Sequence, residues 1–271
     1  MAHPRSFLPA RPSSHRVRSL ACAALLAALT AGPCTQAADL GSLQSSGTFR
    51  FGFATPKEPL LSGEPGDVRG FVTDLLGLIA LQLKVNRTSW TRVATPAALV
   101  QGLQAGKFDA VVDTQLPRPL GGVNLSRPLA CDGGVILSRP GGPLHEEDLK
   151  GKRVAVVTGS AYYYYVRNLP FDKKISVFAD DTQALVGFLS GNIDALVTDR
   201  YDALRMLMKT GGNRIQVGPL LWSQDIDLVV TQNDNKEVIA GVDQALKSLM
   251  TDGTYRKLSL KYFGQDVRCT L

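Results

Sequence analysis

The sequence predicts an α/β protein of two similar lobes, each an open, mostly parallel sheet with helices on both faces. Three observations carry this. Apolar strand-like runs alternate with segments of helical periodicity from residue 49 to residue 198, the pattern of parallel sheets covered by helices. A unit of helix, glycine, apolar strand and terminal aspartate occurs twice, at residues 103–113 and 189–199. A strand and two helices are left over after the second unit's lobe, at residues 226–231, 236–250 and 255–263.

In chain order, residues 49–53 read as a strand. Residues 70–83 read as a helix, with Phe71, Leu75, Leu78, Ile79 and Leu83 on one face. A strand at 88–93, a helix at 96–104 and a strand at 109–112 follow. The alternation returns as strand 153–157, helix 161–168, strand 175–178, helix 182–189 and strand 194–198. In the repeated unit, Gly106 and Gly191 supply the left-handed cap that stops each helix. Asp113 and Asp199 end the strands at their carboxyl ends, where ligands bind in open α/β sheets. Any αβ unit can carry a glycine cap and an aspartate; the shared spacing is what argues for two lobes. Ser138-Arg139-Pro140-Gly141-Gly142 reads as the linker between them. The leftover strand and helices are placed most economically by a chain that crosses back. The expected division is lobe I at 47–138 plus 223–271 and lobe II at 139–222.

The first 37 residues read as a cleavable signal peptide. Arg5, Arg11, Arg16 and Arg18 precede an apolar run of Leu and Ala with no acidic residue, and Thr35-Gln36-Ala37 offers small residues for cleavage after Ala37, with Ala38 close behind. That run is too short to span a bilayer. Pro33 stands before Cys34 where a lipoprotein signal needs a small residue, so a soluble, periplasmic mature protein is expected. The whole chain carries 30 Lys+Arg and 24 Asp+Glu, a net +6. Four of those arginines belong to the signal, so the remainder carries 26 basic against 24 acidic side chains, a net +2. No basic run interleaved with aromatics remains, which speaks against nucleic-acid binding. His145 is the one histidine beyond the signal, and neither metal-ligand spacing nor a cofactor motif is visible. Two cysteines remain, Cys131 and Cys269. A bridge between them requires Cα atoms within about 7 Å; two free thiols are the alternative.

Three stretches resemble a known family. Asp252-Gly253-Thr254-Tyr255 through Tyr262-Phe263 is similar to the carboxyl-terminal helix of the family 3 extracellular solute-binding proteins, which deliver polar amino acids to ABC importers. Gly70-Phe71-Val72-Thr73-Asp74-Leu75 resembles their first helix opening. Residues 149–157 with Gly159-Ser160 resemble the entry to their second lobe. The resemblance spans about residues 49–263. It implies a two-lobed clamshell of the type II periplasmic-binding-protein kind, with a small polar solute in the cleft and a membrane ABC permease or a periplasmic partner protein outside it, the chain itself acting as a monomer without a cofactor.

The resemblance also implies site residues. Asp199 matches the family's contact for an α-ammonium, and Arg118 the guanidinium that forks onto the carboxylate. Gly159 and Ser160 open a helix whose free N–H groups favour an anion. Asp113, Thr114 and Tyr162 complete the candidates. The chain departs from the pattern at 113–118, where the loop is about two residues shorter than the family's, and at 54–60, where the family's acid and aromatics are missing. Lys57 and Glu58 stand in that second loop as replacements for the lost contacts. The main reading is solute capture by hinge closure. An accessory binding protein of a periplasmic quinoprotein dehydrogenase system is the alternative, and a dehydratase-like enzyme a third; no paired carboxylates, catalytic triad or metal cluster is visible in the sequence.

Overall fold

Local sequence sets most elements before packing does. The computed structural model describes residues 39–116, 118–211, 213–232 and 235–269; the predicted signal and Cys34 lie outside them. The chain runs α1 (Leu40–Ser46), β1 (Thr48–Phe53), α2 (Phe71–Gln82), β2 (Arg87–Arg92), α3 (Pro96–Gln104), β3 (Ala110–Val111), β4 (Val123–Leu125), β5 (Ala130–Asp132) and β6 (Gly134–Ser138). It continues through β7 (Arg153–Val157), α4 (Ala161–Arg167), β8 (Lys174–Phe178), α5 (Asp181–Leu189), β9 (Ala195–Asp199), α6 (Arg200–Thr210), β10 (Gln216–Leu220), β11 (Gln224–Ile226), β12 (Val229–Thr231), α7 (Lys236–Thr251) and α8 (Thr254–Phe263). Helix starts carry side-chain caps: Thr95, Ser160, Asp180 and Asp199 each accept a backbone N–H from the first turn of α3, α4, α5 and α6. Such caps satisfy donors that no carbonyl of the helix can reach.

Two five-stranded sheets result, ordered β2-β1-β3-β12-β4 and β10-β6-β9-β7-β8. Each holds two parallel pairings, β1 with β2 and β3 and β7 with β8 and β9. Each also holds two antiparallel ones, through β12 and through β6. The first sheet is sandwiched between an extensive core under α2, α7 and α8 and a smaller one under α3. The second lies between cores supplied by α5 and α6 on one side and α4 on the other.

The repeated unit is repeated in its physics as well. Asp109 accepts the Arg50 N–H at 2.8 Å and pairs with its guanidinium at 2.6 Å. Asp194 does the same for Arg153, at 2.8 and 2.6 Å. In both lobes an aspartate just before one strand is thus tied to an arginine on its neighbour.

The lobe boundary differs from the expected one. Residues 134–138, assigned above to lobe I, form β6, which is buried throughout and sits between β9 and β10 in the second sheet. The Pro-Gly stretch at 139–142 is a turn at the end of that sheet, closed by a bond from the Gly142 N–H to the Arg139 carbonyl. The chain crosses between sheets earlier, through β5, and returns through β11; these two strands pair antiparallel. The single strand expected at 226–231 is accordingly broken. Ile226 pairs with β5, whereas Val229 pairs with β3 and β4.

The carboxyl-terminal helices pack in the first lobe's core. Tyr255 and Phe263 of α8 are fully buried against Phe71 of α2, with ring centroids 5.3 and 5.2 Å apart. The helix α6 serves both lobes, with Tyr201 and Leu204 in the first core and Ala203 and Met206 in the second. Beyond α8 the tail returns to β5, where Cys269 is bonded to Cys131 with Cα atoms 5.2 Å apart. The buried Arg200 donates to the carbonyls of Cys131, Asp266 and Val267, which ties the same tail to the start of α6.

The two cysteines are 138 residues apart in sequence, so their bridge closes a long loop of the unfolded chain. Replacing both with Ser is expected to lower stability by about 2–5 kcal/mol in urea unfolding, with the far-UV circular dichroism spectrum unchanged.

Candidate functional site

The carboxyl ends of β1 and β9 face one another, and the charges there do not cancel. Asp199 ends β9 and caps α6: one carboxylate oxygen accepts the N–H groups of Tyr201 and Asp202 at 2.8 and 3.2 Å. The same oxygen lies 3.1 Å from the ammonium of Lys57, and the Tyr162 hydroxyl donates to the other at 3.3 Å. Lys57 belongs to the loop after β1, in the first lobe, and also reaches Asp202 at 2.7 Å. One ammonium therefore joins the two lobes through two carboxylates. Its side chain is only 22% exposed. Burial alone would lower the Lys57 pKa, but Asp199 and Asp202 outweigh that and leave it raised, so the group is charged at any physiological pH.

Further carboxylates crowd this spot. Asp132, at the end of β5, is buried beside Asp199, and its Oδ1 accepts the Gly133 N–H at 2.8 Å. Burial and the Asp199 charge push its pKa up to about 7, against the opposing pull of Lys57. Asp181, which accepts from the Thr198 hydroxyl at 3.3 Å, is raised by burial and by Asp202. Asp202 also holds Arg205 at 3.0 Å. Four carboxyl groups thus share two cations, Lys57 and Arg205, and the site carries a negative potential that favours a cationic group.

An aromatic wall stands beside the carboxylates. The Tyr162 ring stacks on Trp222 at 5.6 Å, and Tyr165 meets the same indole at 4.8 Å while its hydroxyl donates to Glu146. Burial, then Asp199, raises the Tyr162 pKa, so its hydroxyl stays a donor. Gly133 and Gly134 let the wall come this close. A Cβ on Gly133, whose φ is +148°, would lie 2.0 Å from the Trp222 carbonyl, and one on Gly134 would lie 2.4 Å from its ring. Within the tyrosine run, Tyr163 packs against the core and Tyr164 is 55% exposed.

The structure brings Asp199 and Tyr162 together, and it gives the polar groups of the other predicted residues the following partners. The Asp113 carboxylate is spent on the N–H groups of Ala54, Thr55 and Gln115, at 2.8, 2.6 and 2.9 Å, and so fixes the start of the loop that carries Lys57. Thr114 accepts from the Gln224 side chain through its carbonyl. Arg118, at the surface, binds Asp227 at 2.5 Å and the Asp225 carbonyl at 3.3 Å, next to β11. Gly159 lies in the turn before α4, with φ at +69°. The Ser160 hydroxyl is used locally, accepting from the Tyr163 N–H and donating to the Val157 carbonyl.

Asp132, Asp202 and Trp222 escape the sequence reading, although each leaves a trace. Asp132 precedes two glycines at the end of an apolar run, a sign of close backbone approach. Asp202 follows Asp199 by three residues, the spacing that places two side chains on one face of a helix. Trp222 is one of the protein's two tryptophans. Paired carboxylates, absent from the sequence pattern, form here from Asp132 and Asp199, 67 positions apart by their numbers.

With this fold and this cluster in place, comparison with known proteins is unambiguous about class. The chain belongs to the bacterial extracellular solute-binding proteins, family 3, whose model matches residues 49–265. It is 28% identical over 259 residues to the probable amino-acid-binding protein YxeM of Bacillus subtilis, covering 92% of this chain and 95% of that one. To the L-cystine-binding protein TcyJ of Escherichia coli it is 26% identical over 268 residues, covering 94% and 98%. A crystal structure of a polar amino acid ABC uptake transporter substrate binding protein from Streptococcus thermophilus superposes with a TM-score of 0.76 at 21% identity, covering 87% of this chain and 93% of that one. The fold is the two-lobed type II clamshell.

Asp132 gives a pH signature. Its folded pKa, about 7, lies above the ordinary 3.8. Between those values the folded protein holds a proton that the unfolded chain releases, so stability falls as pH rises through this window and is level above it. Asp132→Asn removes that penalty and keeps the acceptor for Gly133. Its stability relative to the parent is expected to improve by about 1–3 kcal/mol between pH 5 and pH 8, read from urea unfolding at both pH values.

Proposed function

We propose that this protein captures a small polar solute, an amino acid or related zwitterion, in the cleft between its lobes and presents it as a monomer to a membrane ABC importer from the periplasm. The observation that carries the reading is the carboxylate cluster at the end of β9, faced across the cleft by a side chain of the other lobe and walled by Tyr162 and Trp222. A solute ammonium finds charge and hydrogen-bond acceptors at Asp199, and its aliphatic or aromatic body finds the two rings. Among the described residues the chain passes between the sheets through two paired strands, β5 and β11, the kind of connection that lets rigid bodies close on a ligand. A solute touching both lobes shifts the population toward the closed form, and the permease reads that shape.

A second reading is favoured by one observation. A buried carboxyl with a pKa near 7 beside a second carboxylate is the arrangement used for proton transfer. It distinguishes itself by its product: an enzyme alters its ligand, whereas a binding protein returns it unchanged in mass spectrometry after incubation.

The test is a thermal-shift screen of L-amino acids followed by titration calorimetry. Asp199→Asn preserves the cap on α6, since Asn caps helices as well as Asp does, and removes the charge. It is expected to weaken the best ligand by about 2–5 kcal/mol with little change in unfolding stability.

A further inference from the structure

Lys57 stands in the loop after β1 and reaches two carboxylates of the second lobe. We infer that Lys57 is the specificity-determining contact for the solute's carboxylate, and that its ion pair with Asp199 is the seat into which a zwitterion inserts. The inference rests on the reading of the cleft as an amino-acid site, and it names the half of that site which Arg118 does not supply.

A zwitterion entering between Lys57 and Asp199 breaks one ion pair and makes two. Its ammonium takes Asp199, and its carboxylate takes Lys57. No half-buried charge loses its counter-ion, the condition under which such pairs can be rearranged at low cost. An amine alone leaves Lys57 with one partner fewer, and a carboxylate alone leaves Asp199 without a cation. The seat therefore selects solutes that carry both charges.

Donor count agrees. An ammonium has three N–H donors, and Lys57 directs them to Asp199 at 3.1 Å and Asp202 at 2.7 Å. Giving up the longer contact leaves Asp202 as an anchor and frees donors for a carboxylate. A lysine suits this exchange, because its point charge on a four-carbon stem turns between partners more readily than a guanidinium fork does.

The backbone that presents Lys57 is fixed. Its N–H donates to the Leu61 carbonyl at 2.6 Å and its carbonyl accepts from the Leu61 N–H at 2.9 Å. Leu60 and Leu61 are buried in the first lobe's core, and Ala54 and Thr55 are held by Asp113. The candidate arginines are committed to other partners. Arg118 is bound to Asp227, Arg205 to Asp202, and Arg200 to three backbone carbonyls.

The experiment compares acid with amine. The common L-amino acids and L-cystine are screened on the parent protein, and the acid giving the largest thermal shift is taken to titration calorimetry beside its decarboxylated amine. In Lys57→Met the acid is expected to weaken about tenfold or more, the worth of one charge-assisted contact. The amine is expected to hold its affinity or gain, having lost a competitor for Asp199. Lys57→Arg restores the preference for acid, and Lys57→Gln behaves as Lys57→Met; circular dichroism and thermal melts confirm that each variant is folded. Equal weakening of acid and amine in Lys57→Met, or an unchanged acid affinity, overturns the assignment and leaves the solute-binding reading standing. A parent protein that binds no acid of the panel overturns both.

Discussion

One carboxylate organises the meeting of the two lobes. Asp199 ends the central strand of the second sheet, and two helix N–H groups, a tyrosine hydroxyl and a lysine ammonium converge on it. A buried carboxylate so placed must be satisfied, and its donors come from both lobes. The two backbone donors belong to α6, which is why that helix starts where it does. Tyr162 comes from α4, and its ring brings Trp222 with it. Lys57 comes from the other lobe, so that satisfying one buried group also sets how the lobes confront each other.

The duplicated unit shows how similar parts acquire different duties. Asp109 with Arg50 and Asp194 with Arg153 do the same job at the start of matching strands. Asp113 follows β3 by two residues and Asp199 ends β9, and there the lobes part company. Asp113 gives its acceptors to main-chain N–H groups of its own lobe and becomes a fixture. Asp199 gives backbone one oxygen, and the charge is left to be met across the cleft. Asp113 contributes indirectly nonetheless, because the loop it pins is the one that presents Lys57.

Movement has a defined place in this architecture. Each sheet is covered on both faces and behaves as a unit, while the connection between them is a two-stranded ladder of three residues on each side. The Cys131–Cys269 bridge and Arg200 bind the carboxyl-terminal tail to that ladder and to α6, so the connection is stiff at one edge. Tyr201 and Leu204 of α6 lie in the first lobe's core, which places this helix close to the axis about which a closure would turn. The Lys57 contact between the lobes, by contrast, is made by a flexible side chain and can be exchanged.

Much of the fold was legible in the sequence. Local sequence pattern placed all of the expected segments but 226–231 within one residue of the observed elements, since helix and strand spacing follow from local geometry alone. The repeated glycine-capped unit announced two lobes, and the leftover carboxyl-terminal helices announced the return crossing. Composition misled at residues 139–142, because proline and glycine mark a turn without saying whether the turn lies between lobes or at the edge of one. The site was half legible. Asp199 and Tyr162 stand on an element whose end and face the sequence determines by itself. The partners do not follow from any local pattern: Lys57 and Asp132 are brought to Asp199, and Trp222 to Tyr162, from three distant segments. Whether an arginine such as Arg118 is free or already neutralised by Asp227, and whether a carboxyl such as Asp132 keeps its proton, depend on burial and on neighbours far away in the chain. Those are quantities of the packed structure, and it alone decided them.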